Sequence, residues 1–368
     1  MSHFHKHKAD HFLLLIVVGL TSFGFVMVSS ASSVVAERFH EDANFFVQHQ
    51  ILYGGTVGLA LFLLGFLLPY RYWRALALPA LLLALGLLVL VFVPGLQVAY
   101  GGAARWIGLG PITIQPTEIV KLAFILYLAA LLEKKGEDIG DFRKSVVPFL
   151  IITAVISVLI ILQPDIGTLF TTAAIASAMV FTAGFRLRHL FLIGLGGLSL
   201  FAVLLNTARY RLERIMVYLH PELDPQGIGY QINQALLAVG TGGIWGLGLG
   251  RSRQKYYYLP EPAGDSIFAI IAEELGFARS VLLLLAFVVI GWRGFLIARR
   301  APDVFGRLLA CGITSWILIQ AFINMGSILG VMPLTGIPLP FISYGGTALA
   351  TILFASGVLL NISKYTVE

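Results

Sequence analysis

Two acids in this chain stand immediately before long apolar segments, where helix capping and catalysis compete for them. Asp265 closes the stretch Leu259-Pro-Glu-Pro-Ala-Gly-Asp265. Asp165 closes Gln163-Pro-Asp165. A carboxylate in such a place caps a helix by accepting a bond from a free backbone N–H, or acts as a general base if it faces a substrate. Glu118 and Lys121 are three residues apart and share a helical face, so they form either a neutralising pair or half of a charged site. Arg105 precedes Trp106, and a guanidinium suits the forked recognition of phosphate oxygens. Glu273 and Glu274 fall two turns into an apolar helix. Charges at that depth are costly and point to function by default.

The elements that position these groups are membrane spans. Of the 368 residues, 58% are hydrophobic and only 12% charged, where a soluble domain carries roughly 25% charge. Apolar runs near the ~20 residues that cross a bilayer occur at about 11–30, 49–69, 73–95, 116–133, 145–162, 166–184, 188–206, 266–291, 306–328 and 341–362. The expected fold is an all-α polytopic membrane protein with ten transmembrane helices, one domain over 1–368. The first run reads as a span rather than a cleaved signal, because it is long and many spans follow. The pair 145–162 and 166–184 reads as a tight hairpin.

Lys and Arg orient this map. With a cytoplasmic start, fifteen of the 25 fall on inner segments, eight on outer ones, and Lys121 and Arg279 within spans. Short inner loops carry the excess, as the positive-inside rule requires, so both termini are placed in the cytoplasm. Six of the outer cations lie in one large extracytoplasmic loop, 207–264, between helices 7 and 8. Within it Tyr230–Val239 reads as a short interfacial helix, followed by glycines from Gly240 to Gly250 that suit tight turns. On this topology Arg105, Glu118, Lys121, Asp165 and Asp265 all gather at the outer side. The structural alternatives are caps at Asp165 and Asp265, a self-neutralising Glu118–Lys121 pair, a snorkelling Arg105 and belt aromatics at Trp106 and Tyr256–Tyr258. None of them accounts for the convergence.

Some classes are excluded. The single cysteine, Cys311, allows no intramolecular disulfide and no cysteine-based metal site. No phosphate-binding loop of the nucleotide-motor kind is present, and in such a chain a net charge of +6 reports topology, not nucleic-acid binding. The lack of an internal repeat weakens an inverted-repeat transporter reading without removing it.

Several stretches together resemble the SEDS family of bacterial cell-wall glycosyltransferases. They are Ala104-Arg-Trp-Ile-Gly-Leu109, Gln115-Pro-Thr-Glu-Ile-Val-Lys121, Gln163-Pro-Asp-Ile-Gly-Thr168, Gly240-Thr-Gly-Gly-Ile-Trp-Gly246, Tyr258-Leu-Pro-Glu261, Phe268-Ala-Ile-Ile-Ala-Glu-Glu-Leu-Gly276 and Leu339-Pro-Phe-Ile-Ser-Tyr-Gly-Gly346. They occur in the family's order and span the chain. Gly250–Tyr256 resembles the division type more than the elongation type. Before Asp265 this chain has Ala263-Gly264 where family members commonly carry His-Thr, and after it Ser266 where they carry Phe.

The resemblance implies a bacterial cytoplasmic-membrane enzyme that polymerises lipid II on the outer face, with a class B penicillin-binding protein as partner. On physical grounds Asp265, near Glu261, is expected to act as general base on the acceptor sugar hydroxyl. Arg105 and Lys121 are expected to neutralise the leaving pyrophosphate, and Trp106, Glu118, Asp165, Lys255 and Ser343 to line the substrate site. A divalent cation, Mg²⁺ or Mn²⁺, would bridge pyrophosphate to Asp165 or Glu118. Two rivals stand beside this reading: a lipid II flippase or transporter, which needs charges through the membrane depth, and a non-catalytic division scaffold, which needs none of these residues.

Overall fold

The computed structural model describes residues 7–100, 103–110, 112–207, 209–220, 223–224, 226–256 and 258–366; Lys6 and Tyr257, used in the sequence reading, lie outside them. In chain order the helices are α1 (His11–His40), α2 (Phe45–His49), α3 (Thr56–Leu67), α4 (Arg71–Leu90), α5 (Pro116–Lys135), α6 (Val147–Ile161), α7 (Ile166–Ala183), α8 (Leu187–Thr207), α9 (Arg209–Leu219), α10 (Ile228–Gly242), α11 (Ile267–Arg300), α12 (Val304–Ile328) and α13 (Gly346–Ser363). A wider π-type stretch, Gln50–Gly55, joins α2 to α3 into one span, Phe45–Leu67.

Among the described residues eight helices are long and apolar enough to cross a membrane. Two of the ten expected spans fall outside that set for visible reasons. Helix α5 carries Glu118, Lys121, Glu133, Lys134 and Lys135 in 20 residues, and α8 has a shorter apolar run, Leu187–Val203. The chain is not wholly helical either. Between α4 and α5 three short strands, β1 (Gln97–Tyr100), β2 (Ala103–Leu109) and β3 (Ile112–Ile114), form an antiparallel sheet in sequence order. Gly95, at φ +89°, lies in the turn before β1, and Gly110, at φ +65°, lies between β2 and β3; β1 and β3 are too short to carry a strong alternation signal, and β2 does not alternate apolar with polar. The segment 207–264 holds two helices, α9 and α10, where one was expected.

Helices α12 and α13 are buried on nearly all sides. Helix α13 packs on α3 through glycines: a Cβ at Gly357 would strike Phe62 O, and one at Gly65 would lie 2.7 Å from Phe354 O. Small residues permit the backbone approach that drives helix association in lipid. Helix α12 packs against α5, α7 and α11.

The two termini meet at one end of the bundle. His7 N–H donates to Lys364 O (2.8 Å), and Asp10 N–H donates to Ser363 Oγ (3.0 Å). Asp10 also caps α1 through Leu13 N–H and pairs with Arg293 at 2.6 Å. At the other end, the starts of α5, α7, α11 and α13 converge with the finish of α12.

Candidate functional site

The segment 329–345, between α12 and α13, connects the polar residues at that end. Gly336, at φ +68°, would place a Cβ 3.6 Å from Asp265 Oδ2. Thr335 O and the Ile337 side chain lie over Gly167, next to the start of α7. Pro338, Leu339 and Ser343 line a small cavity with Glu118 and Gln320. Ser343 Oγ donates to Gly264 O (2.8 Å) and accepts from Leu339 N–H, and Tyr344 N–H donates to Ala263 O (2.8 Å). The turn that carries Asp265 is therefore strapped to this segment.

The two acids that looked alike in sequence part company here. Asp165 is the N-cap of α7: Oδ1 accepts from Thr168 N–H (3.1 Å) and Oδ2 from Thr168 Oγ (2.8 Å). Asp265 is not a cap. The capping position of α11 is Ser266, and Asp265 Oδ1 is buried without any hydrogen-bond partner. Burial pushes the Asp265 carboxyl up to about 6, the nearby Glu261 charge adds to the rise, and its own N–H, Arg214 and the Ser266 hydroxyl oppose it. Desolvation disfavours the charged form of an acid, and a like charge does the same. Glu261 itself is exposed, at φ +47° in the turn whose carbonyl accepts from Gly264 and Ser266 N–H.

Glu118 and Lys121 form a buried pair at 2.7 Å, each about 1% exposed as a residue. Lys121 Nζ also donates to Gln320 Oε1 (2.6 Å), which accepts from Trp316 Nε1 as well (2.7 Å). Glu118 Oε2 has no partner and borders the cavity. Arg105 lies at the rim, half-buried, donating to Gln163 O (3.3 Å) and Pro164 O (2.6 Å). Trp106 follows it in β2 and pairs with Val98 of β1, next to the irregularity in register at which Arg105 stands.

Lys255 is placed differently from the expectation that it meets substrate. Its ammonium is buried against Glu274 Oε1 (3.2 Å) and donates to Gly250 O (2.7 Å). Glu274 also accepts from Ser30 Oγ on α1 and from Ser252 N–H. Glu273 accepts from Ser252 Oγ, Arg253 N–H (3.0 Å) and Gln254 N–H (3.3 Å). The costly acids of α11 are thus a clamp that fastens the 250–255 loop to α11 and α1.

Sequence reasoning overlooked Arg214, Gln320, Asn324 and Gly336. Arg214, on α9, donates to Leu334 O (3.2 Å) and acts electrostatically on Asp265. A Gln and an Asn four apart in an apolar helix was the available signal for the middle two. Among the described residues no group of three or more His, Cys, Asp or Glu side chains gathers to hold a metal. Of the two acids expected to meet a cation, Asp165 has each oxygen on Thr168 and Glu118 has Oε2 without a partner.

The fold and site define a polytopic membrane protein with one polar site, assembled from helix starts and a single long loop at one end of the bundle. The chain belongs to the FtsW/RodA/SpoVE family, described as cell cycle proteins, whose profile matches residues 10–368. It is 45% identical to stage V sporulation protein E of Bacillus subtilis over 98% of both chains. It is 42% identical to a probable peptidoglycan glycosyltransferase FtsW of Trichlorobacter lovleyi, over 98% of this chain and 94% of that one. Its structure superposes with TM-score 0.79 and 30% identity on a chain of a peptidoglycan synthase complex that coordinates polymerization and crosslinking, covering 96% and 97% of the two. The Thermus thermophilus rod shape determining protein RodA matches with TM-score 0.71 and 28% identity over 98% of each chain.

Proposed function

We propose that this protein is a peptidoglycan glycosyltransferase that polymerises lipid II at the outer face of the bacterial cytoplasmic membrane. Ten spans, the eight above with α5 and α8, place both termini in the cytoplasm and 207–264 outside, within a single domain over 1–368. The observation that carries the reading is the Asp265 carboxyl, with one buried oxygen unengaged and an acidity shifted to about 6. A carboxylate tuned upward from its usual range is a better base near neutral pH.

In the proposed reaction Asp265 takes the proton of the acceptor sugar hydroxyl as that oxygen bonds to the anomeric carbon of the donor. The bond from that carbon to pyrophosphate breaks, and undecaprenyl pyrophosphate leaves. A single displacement inverts the anomeric centre. Arg105 at the rim pairs with the departing pyrophosphate. Lys121, buried on Glu118 and Gln320, acts through its fixed charge behind the site. A divalent cation is proposed only as a counter-ion that arrives with pyrophosphate, and no step depends on it. A class B penicillin-binding protein is the proposed partner, in keeping with the synthase complex that the fold matches.

The test is polymerisation of purified lipid II in detergent, beside Asp265→Asn, with a cognate penicillin-binding protein whose own activity is blocked. Polymer from the wild type and none from the folded variant supports the reading. Equal activity in both removes Asp265 from the chemistry. No polymer under any condition moves the function to lipid transport, which liposomes then test.

A further inference from the structure

Helix α12 carries two carboxamides four residues apart, Gln320 and Asn324, hence on one face, each no more than 2% exposed. Asn324 spends both Nδ2 protons on backbone carbonyls: Asp265 O at 2.7 Å and Ile337 O at 2.8 Å. Gln320 Nε2 donates to Pro338 O (3.0 Å), while its Oε1 receives Lys121 and Trp316. The two amides hold adjacent carbonyls of the 329–345 segment, and Asn324 ties them to the backbone of Asp265. A buried amide is costly unless its groups are satisfied, and Asn324 Oδ1 has no partner. An apolar residue would serve the helix better, so the benefit of Asn324 lies in what its two donors hold.

We propose that Asn324 is a positioning residue for the glycosyl transfer: it fixes the Asp265 turn against Ile337 and so sets the place of the Asp265 carboxyl group. Gln320 completes the arrangement by tying the same segment to the Lys121–Glu118 pair. The inference rests on the reading of Asp265 as base. The Asp265 carboxyl meets its own N–H and the Ser266 hydroxyl, both from the same turn, whereas Asn324 supplies a side-chain bond from another helix to the Asp265 carbonyl. Misplacement of a catalytic group by about 1 Å can lower a rate on the order of a hundredfold.

Asn324→Leu and Asn324→Asp both remove the two donors, Asp at nearly the same volume and Leu at a larger one, whereas Asn324→Gln keeps the donors on a longer stem. Each is compared with wild type in steady-state lipid II polymerisation with the blocked penicillin-binding protein, and in amide hydrogen exchange over 262–266. The expected result for Leu and Asp is a loss in kcat of about tenfold to a hundredfold, with KM for lipid II changed by less than about twofold. Exchange over 262–266 speeds up while α12 keeps its protection, and Gln recovers part of both. Unchanged kcat and exchange in folded Asn324→Leu would overturn the proposal, leaving Asn324 as packing; so would a rise in KM with kcat retained, which marks a substrate contact. If the wild type itself makes no polymer, the glycosyltransferase reading has failed. The exchange data then decide by themselves whether Asn324 anchors the Asp265 turn.

Discussion

Gly276 and Gly246 meet backbone to backbone where α11 breaks. Gly276 has φ +80° and ψ 176° inside an otherwise helical run, and a Cβ there would overlap Gly246 N and lie 2.5 Å from Trp245 C. The crossing segment repairs the interrupted ladder: Phe277 N–H donates to Gly243 O (2.8 Å), Ala278 N–H to Ile244 O (3.1 Å), and Leu247 and Gly248 N–H to Glu273 and Glu274 O (3.0 and 2.9 Å). A broken membrane helix is tolerated where such partners satisfy its freed groups. Gly276→Ala adds left-handed strain and overlap together, about 3 kcal/mol or more. The expected outcome is a markedly lower unfolding temperature and loss of monodisperse protein, measured by thermal melts in detergent. Ala at Gly240, where a Cβ meets nothing within 4 Å, serves as the tolerated control.

The Lys255–Glu274 pair yields the second prediction. Removing one member of a buried pair strands the other charge, at about 3–5 kcal/mol, whereas replacing both with neutral groups is far milder. Lys255→Met is therefore expected to destabilise more than Lys255→Met with Glu274→Gln. A double-mutant cycle in melting temperature checks this, and additive losses would refute the coupling.

The division between what was legible and what was not follows from the range of the interactions. Span hydropathy and the Glu118–Lys121 spacing lie within one helix, so sequence displays them, and the convergence of Arg105, Asp165 and Asp265 at one end follows from counting spans. Lys255 looked like a substrate cation because its partner, Glu274, is 19 positions away across a loop. Asn324 was passed over, since its targets at 265 and 337 are set by tertiary packing. The strands at 97–114 were hidden because β1 and β3 have only four and three residues, and the seven of β2, Ala-Ala-Arg-Trp-Ile-Gly-Leu, do not alternate apolar with polar.

Asp165 and Asp265, similar in sequence, should respond differently to substitution. Asp165→Ala removes a cap that holds both Thr168 groups, expected to cost about 1 kcal/mol while activity per folded molecule is retained. Asp265→Asn should keep the fold and abolish polymer. Measured together by melting temperature and lipid II turnover, the two variants separate capping from chemistry, and an Asp165→Ala that folds normally yet makes no polymer would move Asp165 into the site.

The pH profile tests the electrostatics of Asp265 directly. With the carboxyl at about 6, the rate should rise as pH passes upward through that value, because the base form accumulates. Removing a charge that raises or lowers this acidity moves the limb in opposite directions. Glu261→Gln withdraws a repelling negative charge, so the limb shifts to lower pH; Arg214→Gln withdraws an attracting positive one, so it shifts to higher pH. For stability the sign is reversed from the usual acid. The folded value lies above the ordinary aspartate value of 3.8, so the native state binds more protons than the unfolded one between roughly pH 4 and 6, and this group's contribution falls as pH rises across that window. Rate profiles for wild type and the two variants, with melting temperatures over the same range, check both signs, and limbs that move together or not at all would remove Asp265 as the titrating base.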